Sequence, residues 1–404
     1  MPRSTAGLLL SSFVVGLLLP GVPLAQDGAI VCWGLDNLGQ CQVPDSGPFI
    51  GGATGFRFTY GITADSTVVC WGENNQGQCV VPAPNQDFVA VSGGGYHGMG
   101  LEADGTVVCW GSNSYGQRVV PAPNEGFVAI TAGWEHSVGL KEDSTVLCWG
   151  CNTHGQCTVP SPNQDFIAVS AGDAHCVGLK ADGTVVCWGS DIQGQCQVPP
   201  PNQDFVAVAA GGYHTLGLKA DGSIVCWGAD GYAQCDVPEP NQDFTACAGG
   251  AYHSLGLKSD STIVCWGWNQ FGQCDVPPPN GGFVALDGGG GHSMGLRGYA
   301  VPAGEEVLSP LEEVFGIISV HPNPVSSSAS VLLEVALSGP FTMAVYDLTG
   351  RQVSRWELGT LQSGKHTLVW DCTSPDAGRL PEGVYVLRVE SGTGSSAARI
   401  VVTR

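Results

Sequence analysis

VVCWGENNQGQC, Val68 to Cys79, holds the two features that decide the fold: a Cys-Trp-Gly triplet, and a second cysteine nine residues after the first. The triplet begins at Cys32, Cys70, Cys109, Cys148, Cys187, Cys226 and Cys265, with a spacing of 38 residues once and 39 residues five times. Such a period demands a repeat architecture. A second recurring word, typified by AGGYHTLGLKADG, sets His97, His136, His175, His214, His253 and His292 at an unbroken spacing of 39, with Phe58 where the first would fall.

Within one copy, NQDFVAV, HTLGLK, SIVCWG and QCDVP read as four short β-rich runs separated by Gly, Asp-Gly and Pro-rich turns. Four strands per copy describe a propeller blade. The ends decide between an open solenoid and a closed ring. The chain enters the repeats with a half-blade, GAIVCWGLDNLGQCQVP, and leaves them with the complementary half, GGFVALDGGGGHSMGLR. Joining the halves completes a seventh blade and hides both open sheet edges. The fold class expected is all-β: a seven-bladed β-propeller closed by a split first/last blade, then a small immunoglobulin-like β-sandwich.

If VVCWG and QCVVP are hairpin strands around ENNQ, Cys70 faces Cys79, and opposed residues lie about 4.5–5.5 Å apart at Cα, near what a disulfide requires. The same spacing pairs Cys32 with Cys41, Cys148 with Cys157, Cys187 with Cys196, Cys226 with Cys235, and Cys265 with Cys274. A stripe of small buried thiols is the alternative. Cys109, Cys151, Cys176, Cys247 and Cys372 are left over. Paired cysteines without histidine rarely fill a tetrahedral zinc site. No metal and no cofactor is expected.

The words WGxNxxGQ and GxxHxxGLxxDG resemble the repeats of the regulator-of-chromosome-condensation family. The resemblance covers residues 28 to 297 and implies a seven-bladed propeller closed in this split-blade way. It implies little about function, because that fold hosts nuclear exchange factors, membrane-protein modules and a secreted β-lactamase inhibitor. The recurring His is expected to be buried and bonded to local backbone, and the Trp of each triplet to pack between blades. A ring of imidazoles holding a metal is the other reading, which Phe58 interrupts. Phe58 for His, Arg118 for the second Cys and Ala233 for Gly are the departures from the repeat.

Successive turns of a meander alternate between the two faces of the disc. On one face EADG, KADG, KSDS and the PNQD connections barely change, and turn chemistry explains them. On the other, the turns after Cys-Trp-Gly and those before His differ from blade to blade. They carry Tyr96, Tyr115, Trp134, Tyr213, Tyr232, Tyr252, Trp268 and Phe271, with Glu135, Asp173 and His154 among them. Aromatics at surface turns are typical anchors of interfaces or glycan sites, although drift of loop tips would also place them there. These residues are the candidate ligand-binding site. No Gly-x-Ser-x-Gly, His-Glu-x-x-His or phosphate-cradling loop is present, so no catalytic residue is assigned and an enzyme is not expected.

The N-terminal residues 1–25 read as a secretory signal: Arg3, the apolar run Ala6 to Leu19, and Ala25 at a plausible cut, a retained anchor being the alternative. The propeller is assigned to 26–297, a linker to 298–316 and an immunoglobulin-like domain to 317–404. No other run is apolar and long enough to span a bilayer. With 15 basic and 36 acidic residues the formal charge is −21, which repels a phosphate backbone, so no nucleic-acid partner is expected.

From Ile317, short alternating runs suggest a β-sandwich. HPNP, YDLTGRQV, GKHTLVWD and PEGVYVLRV look like the C-terminal sorting domain of bacterial type IX secretion and the related immunoglobulin-like domain of flagellar hook-capping proteins. That resemblance implies export or surface anchoring through secretion machinery, with a stalk domain as the alternative. The reading is a secreted or cell-surface bacterial binding protein whose variable face recognises an extracellular protein or glycan. A secreted enzyme inhibitor is the second reading; a guanine-nucleotide exchange factor or glycan-active enzyme fits less well.

Overall fold

A computed structural model describes residues 28–298, 315–321, 329–335, 339–347, 352–362, 364–370, 373–374, 378–380, 383–391 and 394–402. The expected signal segment, most of the linker and Cys372 lie outside the described residues. The chain divides into two compact units, Met1–Ala300 and Val301–Arg404.

The first unit is a ring of seven antiparallel sheets, each of three strands. In the second blade the inner strand is Phe88–Gly93, the middle strand His97–Glu102 and the outer strand Val107–Gly111. The seventh blade takes its inner and middle strands, Phe283–Gly288 and His292–Arg297, from the end of the ring. Its outer strand, Ala29–Gly34, comes from the start, paired from Ala29↔Arg297 to Gly34↔His292. The two ends of the repeat region are thereby held in one sheet.

The fourth expected run, QCVVP and its equivalents, is not a strand. After Gly72, whose φ of +103° only glycine adopts without strain, the chain folds into a compact turn. Asn74 Oδ1 accepts the Cys79 N–H at 2.9 Å and Gln78 Oε1 accepts the Gln76 N–H at 2.8 Å. These side-chain bonds satisfy the backbone locally, so a ladder is not needed. The Gln78 carbonyl is instead turned toward the next blade.

That carbonyl is the joint between blades. In the fifth blade Trp227 and Thr215 illustrate it: Trp227 Nε1 donates to Gln195 O at 2.9 Å, and Thr215 Oγ1 donates to the same carbonyl at 2.8 Å. Since the hydroxyl proton goes to Gln195, the 3.0 Å contact from His175 Nε2 to Thr215 Oγ1 must be donated by the imidazole. The histidine therefore bonds a hydroxyl of the neighbouring blade, not local backbone. The same link joins His97 to Ser137, His214 to Ser254, His253 to Ser293 and His292 to Thr59, and Cys176 takes the hydroxyl's place for His136. Burial holds every ring neutral, pushing His97 down to about 4 and His214 to about 3.

The one junction without His is rebuilt by three coordinated changes. Phe58 stands for His, Gly98 for the hydroxyl residue, and the Tyr60 hydroxyl fills the gap, donating to Gln78 O at 2.5 Å and accepting from Trp110 Nε1 at 2.9 Å. A Cβ on Gly98 would lie 2.1 Å from the Tyr60 hydroxyl, so glycine is required there.

Each core segment is the gap between two blades, filled by the inner-strand Phe, the Trp of the next triplet and β-branched residues of both; Phe166 and Trp188, 6.0 Å apart at the ring centroids, are typical. The Trp is thus an inter-blade residue. The constant face is occupied by structural duties. Asn85 accepts from Val68 N and donates to Val68 O, and Lys141 lies 3.7 Å above the Phe127 ring.

Four of the six expected bridges are closed, Cys32–Cys41, Cys70–Cys79, Cys148–Cys157 and Cys226–Cys235, with Cα separations of 4.9, 5.1, 4.9 and 5.0 Å. Cys187 and Cys196 stand with sulfurs 2.8 Å apart, and Cys265 and Cys274 at 2.6 Å, as thiol contacts. Opposite Cys109, Arg118 donates from Nη1 to Gly111 O at 3.0 Å, a polar substitute for the bridge. Mass mapping of non-reduced peptides from oxidised protein is expected to find all six pairs joined. Each closes a short loop worth about 2–3 kcal/mol, so reduction should lower the melting temperature. Recovery of free thiols at Cys70 and Cys79 would overturn this pairing.

The second unit packs a three-stranded sheet, Phe315–His321, Ala329–Val335 and Gly364–Trp370, with a four-stranded sheet of Gln352–Leu361, Gly339–Asp347, Gly383–Ser391 and Gly394–Val402. Alternate residues Val331, Leu333 and Val335 from one sheet and Phe341, Met343, Val345, Tyr385, Leu387 and Val389 from the other form one core with Trp370. The first strand begins two residues ahead of the expected boundary at Ile317.

Candidate interaction face

The turn before each middle strand and the turn after each outer strand emerge on the same face. The middle strand's first residue pairs with the outer strand's last, as in His97↔Gly111, so both loops leave from one edge of the sheet. Side chains there come from residues about one repeat apart, and the ring sets which of them meet.

Five of the eight candidate aromatics form one continuous patch. Tyr213 and Tyr252 stack at 6.1 Å with 22° between planes, Tyr232 meets Tyr252 at 5.4 Å, and Trp268 contacts Tyr252, Tyr232 and Phe271 at 5.7, 5.9 and 5.1 Å. Tyr232 and Phe271 are exposed, while the others are half-buried. A second patch is built on Trp134, which receives Tyr96 at 5.6 Å and Phe56 at 4.5 Å, with the Arg57 guanidinium 5.2 Å from the Phe56 ring. Tyr115 is exposed and makes no ring contact among the described residues.

An axial recess lies at the ring's centre, walled by the glycines and alanines that end the inner strands and begin the next turns. Phe56, Trp134 and Asp173 project into its lining, and among the described residues Asp173 is its only ionisable side chain. Burial pushes the Asp173 carboxyl up to about 6, opposed by the Tyr213 hydroxyl; the carboxylate's charge in turn pushes Tyr213 up to about 12. Glu135 is raised too, by burial.

Phe56 and Arg57 escaped the sequence reading, although they occupy the same pre-middle-strand turn as Tyr96 and Trp134. Leu38 and Ile192, 42% and 73% exposed, are aliphatic members of the same face.

The Regulator of chromosome condensation (RCC1) repeat matches at residues 50–78, 88–117, 127–156, 166–195, 205–234 and 245–273, and the FlgD Ig-like domain at 325–395. Six repeats match contiguously, while the seventh blade is assembled from the two ends of the ring. Among solved structures, Prp20p of Saccharomyces cerevisiae is similar with 17% identity and a TM-score of 0.60, covering 71% of this chain and 94% of that one. Human WBSCR16 is similar with 18% identity and a TM-score of 0.54, covering 67% and 99%. The ectodomain of the Physcomitrella patens receptor kinase CR4 has 27% identity and a TM-score of 0.51, covering 59% and 67%. No curated protein matches. The chain therefore carries RCC1 repeats, arranged in a seven-bladed propeller, followed by an FlgD Ig-like domain.

Proposed function

We propose that this protein is a secreted or cell-surface binding protein that presents the variable face of its propeller to an extracellular macromolecule. The observation that carries this reading is the asymmetry between the faces. One face uses Asn, Lys and Phe to hold strands together, whereas the other gathers rings from separate blades into two patches beside a cavity. Rings clustered in half-buried surroundings with exposed members are the composition of interface anchors. Cysteines paired in strand-end turns suit an oxidising compartment. The FlgD Ig-like segment then serves export or anchoring, and the type IX sorting role belongs to the proposal.

Protein comprising residues 26–404, immobilised and exposed to the native extracellular fraction, is expected to retain one saturable partner. Trp134→Ala and Tyr213→Ala should each weaken retention about 30-fold or more, the effect of losing an anchor worth about 2 kcal/mol. Glu142→Gln, on the constant face, should leave it unchanged. Retention insensitive to both aromatic variants would sink the face assignment. If the partner is an enzyme and loses activity when bound, the inhibitor reading takes precedence.

A further inference from the structure

The axial cavity has a composition that the aromatic patches alone do not explain. Its wall is glycine and alanine, its rim is two rings, and a single carboxylate enters it. The glycines have a structural cause, because a Cβ on Gly94 would stand 2.4 Å from the Gly133 carbonyl and one on Gly172 2.3 Å from the Gly211 carbonyl. Asp173 has no such cause. The equivalent turn positions carry Phe56, Gly95, Trp134, Gly212, Ala251 and Gly290, so the close packing of the blades does not call for a carboxylate.

No basic side chain lines the cavity among the described residues. Arg57 is placed over the Phe56 ring, and the groups that bear on Asp173 are the phenols of Tyr213 and Tyr252. A half-buried carboxylate in a recess with phenols but no cation beside it carries a desolvation cost when ionised. The arrangement is suited to a cation brought from outside, because aromatic faces attract cations as well.

We propose that the axial cavity is a cation subsite, taking the alkylammonium or guanidinium end of a lysine- or arginine-like group with Asp173 as its counter-charge and the Trp134 and Phe56 rings against its stem. This deepens the binding-face reading by naming what a partner must insert at the centre of the face. Binding favours the ionised carboxylate, so it strengthens as the pH rises through the Asp173 value of about 6 and weakens below it.

The test is calorimetric titration of the full chain with Nα-acetyl-lysine amide at about pH 8 and about pH 5, above and below the carboxyl's titration. The same titration is run with the Nε-acetylated, neutral form and with 1,4-diaminobutane. Saturable binding of the charged lysine derivative at the higher pH is expected, at least about ten-fold weaker at the lower pH, in Asp173→Asn and for the neutral form. A melting temperature of Asp173→Asn within about 2–3 °C of the intact protein's is expected and guards against a fold defect in that variant. Equal binding of the neutral form, equal binding by a folded Asp173→Asn, or no saturation up to about 100 mM, a weak limit for so small a ligand, would overturn the subsite. Diaminobutane binding more tightly than the lysine derivative supports the subsite with a free amine as the source, and the reverse order supports it with a partner's side chain. If the subsite fails while capture still depends on Trp134, the binding face stands and only its central cation is lost.

Discussion

Deleting residues 26–45 is expected to lower the melting temperature by about 10 °C or more and to make the protein aggregate on heating. The deletion removes the outer strand of the seventh blade, and with it every pair from Ala29↔Arg297 to Gly34↔His292. Buried Ile30 and Trp33 go, as do the Trp33 Nε1 bond to Gln273 O at 2.8 Å and the Gln40 carbonyl that accepts Thr59 Oγ1 at 2.9 Å. Losing a buried Trp alone costs about 3–5 kcal/mol, and the Cys32–Cys41 bridge adds about 2–3. That sum is comparable with the whole stability of a typical domain. The exposed edge of His292–Arg297 would also be free to pair with another chain. A melting temperature within 2–3 °C of the intact protein, roughly 1 kcal/mol for a unit of this size, would show that the first strand does not close the ring.

The second large effect concerns Asp287, which closes the ring on its inner side. Its Oδ2 accepts the Thr54 N–H at 2.7 Å and stands 2.9 Å from Thr54 Oγ1, and its Oδ1 accepts the Gly288 N–H at 2.9 Å. Elsewhere the same register uses a hydroxyl: Ser92 accepts from Ala132 N at 3.0 Å, Thr131 from Ala171 N at 3.2 Å and Ser170 from Ala210 N at 3.0 Å. Burial pushes the Asp287 carboxyl up to about 7, against the hydrogen bonds that favour its ionised form. The folded protein then holds a proton that the unfolded chain has released above about pH 4. This contribution to stability is full below that pH and declines as the pH rises to about 7.

Asp287→Ala leaves the buried Thr54 N–H without its acceptor and should cost about 1–3 kcal/mol, more at pH 5 than at pH 8, where removing the buried charge offsets part of the loss. Asp287→Ser restores the hydroxyl found in three other blades, so it should keep the contact and flatten the dependence of melting temperature on pH. Thermal unfolding of the three proteins across pH 4–8 decides the matter. Identical pH profiles for wild type and Asp287→Ser would remove Asp287 as the titrating group.

Most of the propeller is legible in the sequence. The triplets and histidines recur at fixed intervals, and the complementary halves at the two ends of the repeats point to closure across Ala29–Gly34. The cysteine spacing put Cys70 against Cys79, although the second cysteine sits in a turn held by Asn74 and Gln78 instead of in a fourth strand. The candidate face was legible as a set of variable turns. Its division into two patches was not, because Tyr213, Tyr232, Tyr252 and Trp268 are brought together by ring geometry and rotamers.

The amino-acid sequence by itself determined the number of blades, the strand-forming runs and the face on which differences accumulate, since each is a local pattern repeated along a contiguous chain. Only the tertiary structure decided that His175 bonds Thr215 of the next blade, that Tyr60 and Gly98 exchange volume around Trp110, and that Asp173 alone brings charge to the axial cavity. These contacts join residues roughly one repeat apart, across the gaps between blades. Such distances depend on how the ring closes, and a periodic pattern carries no information about which neighbours the closure presses together.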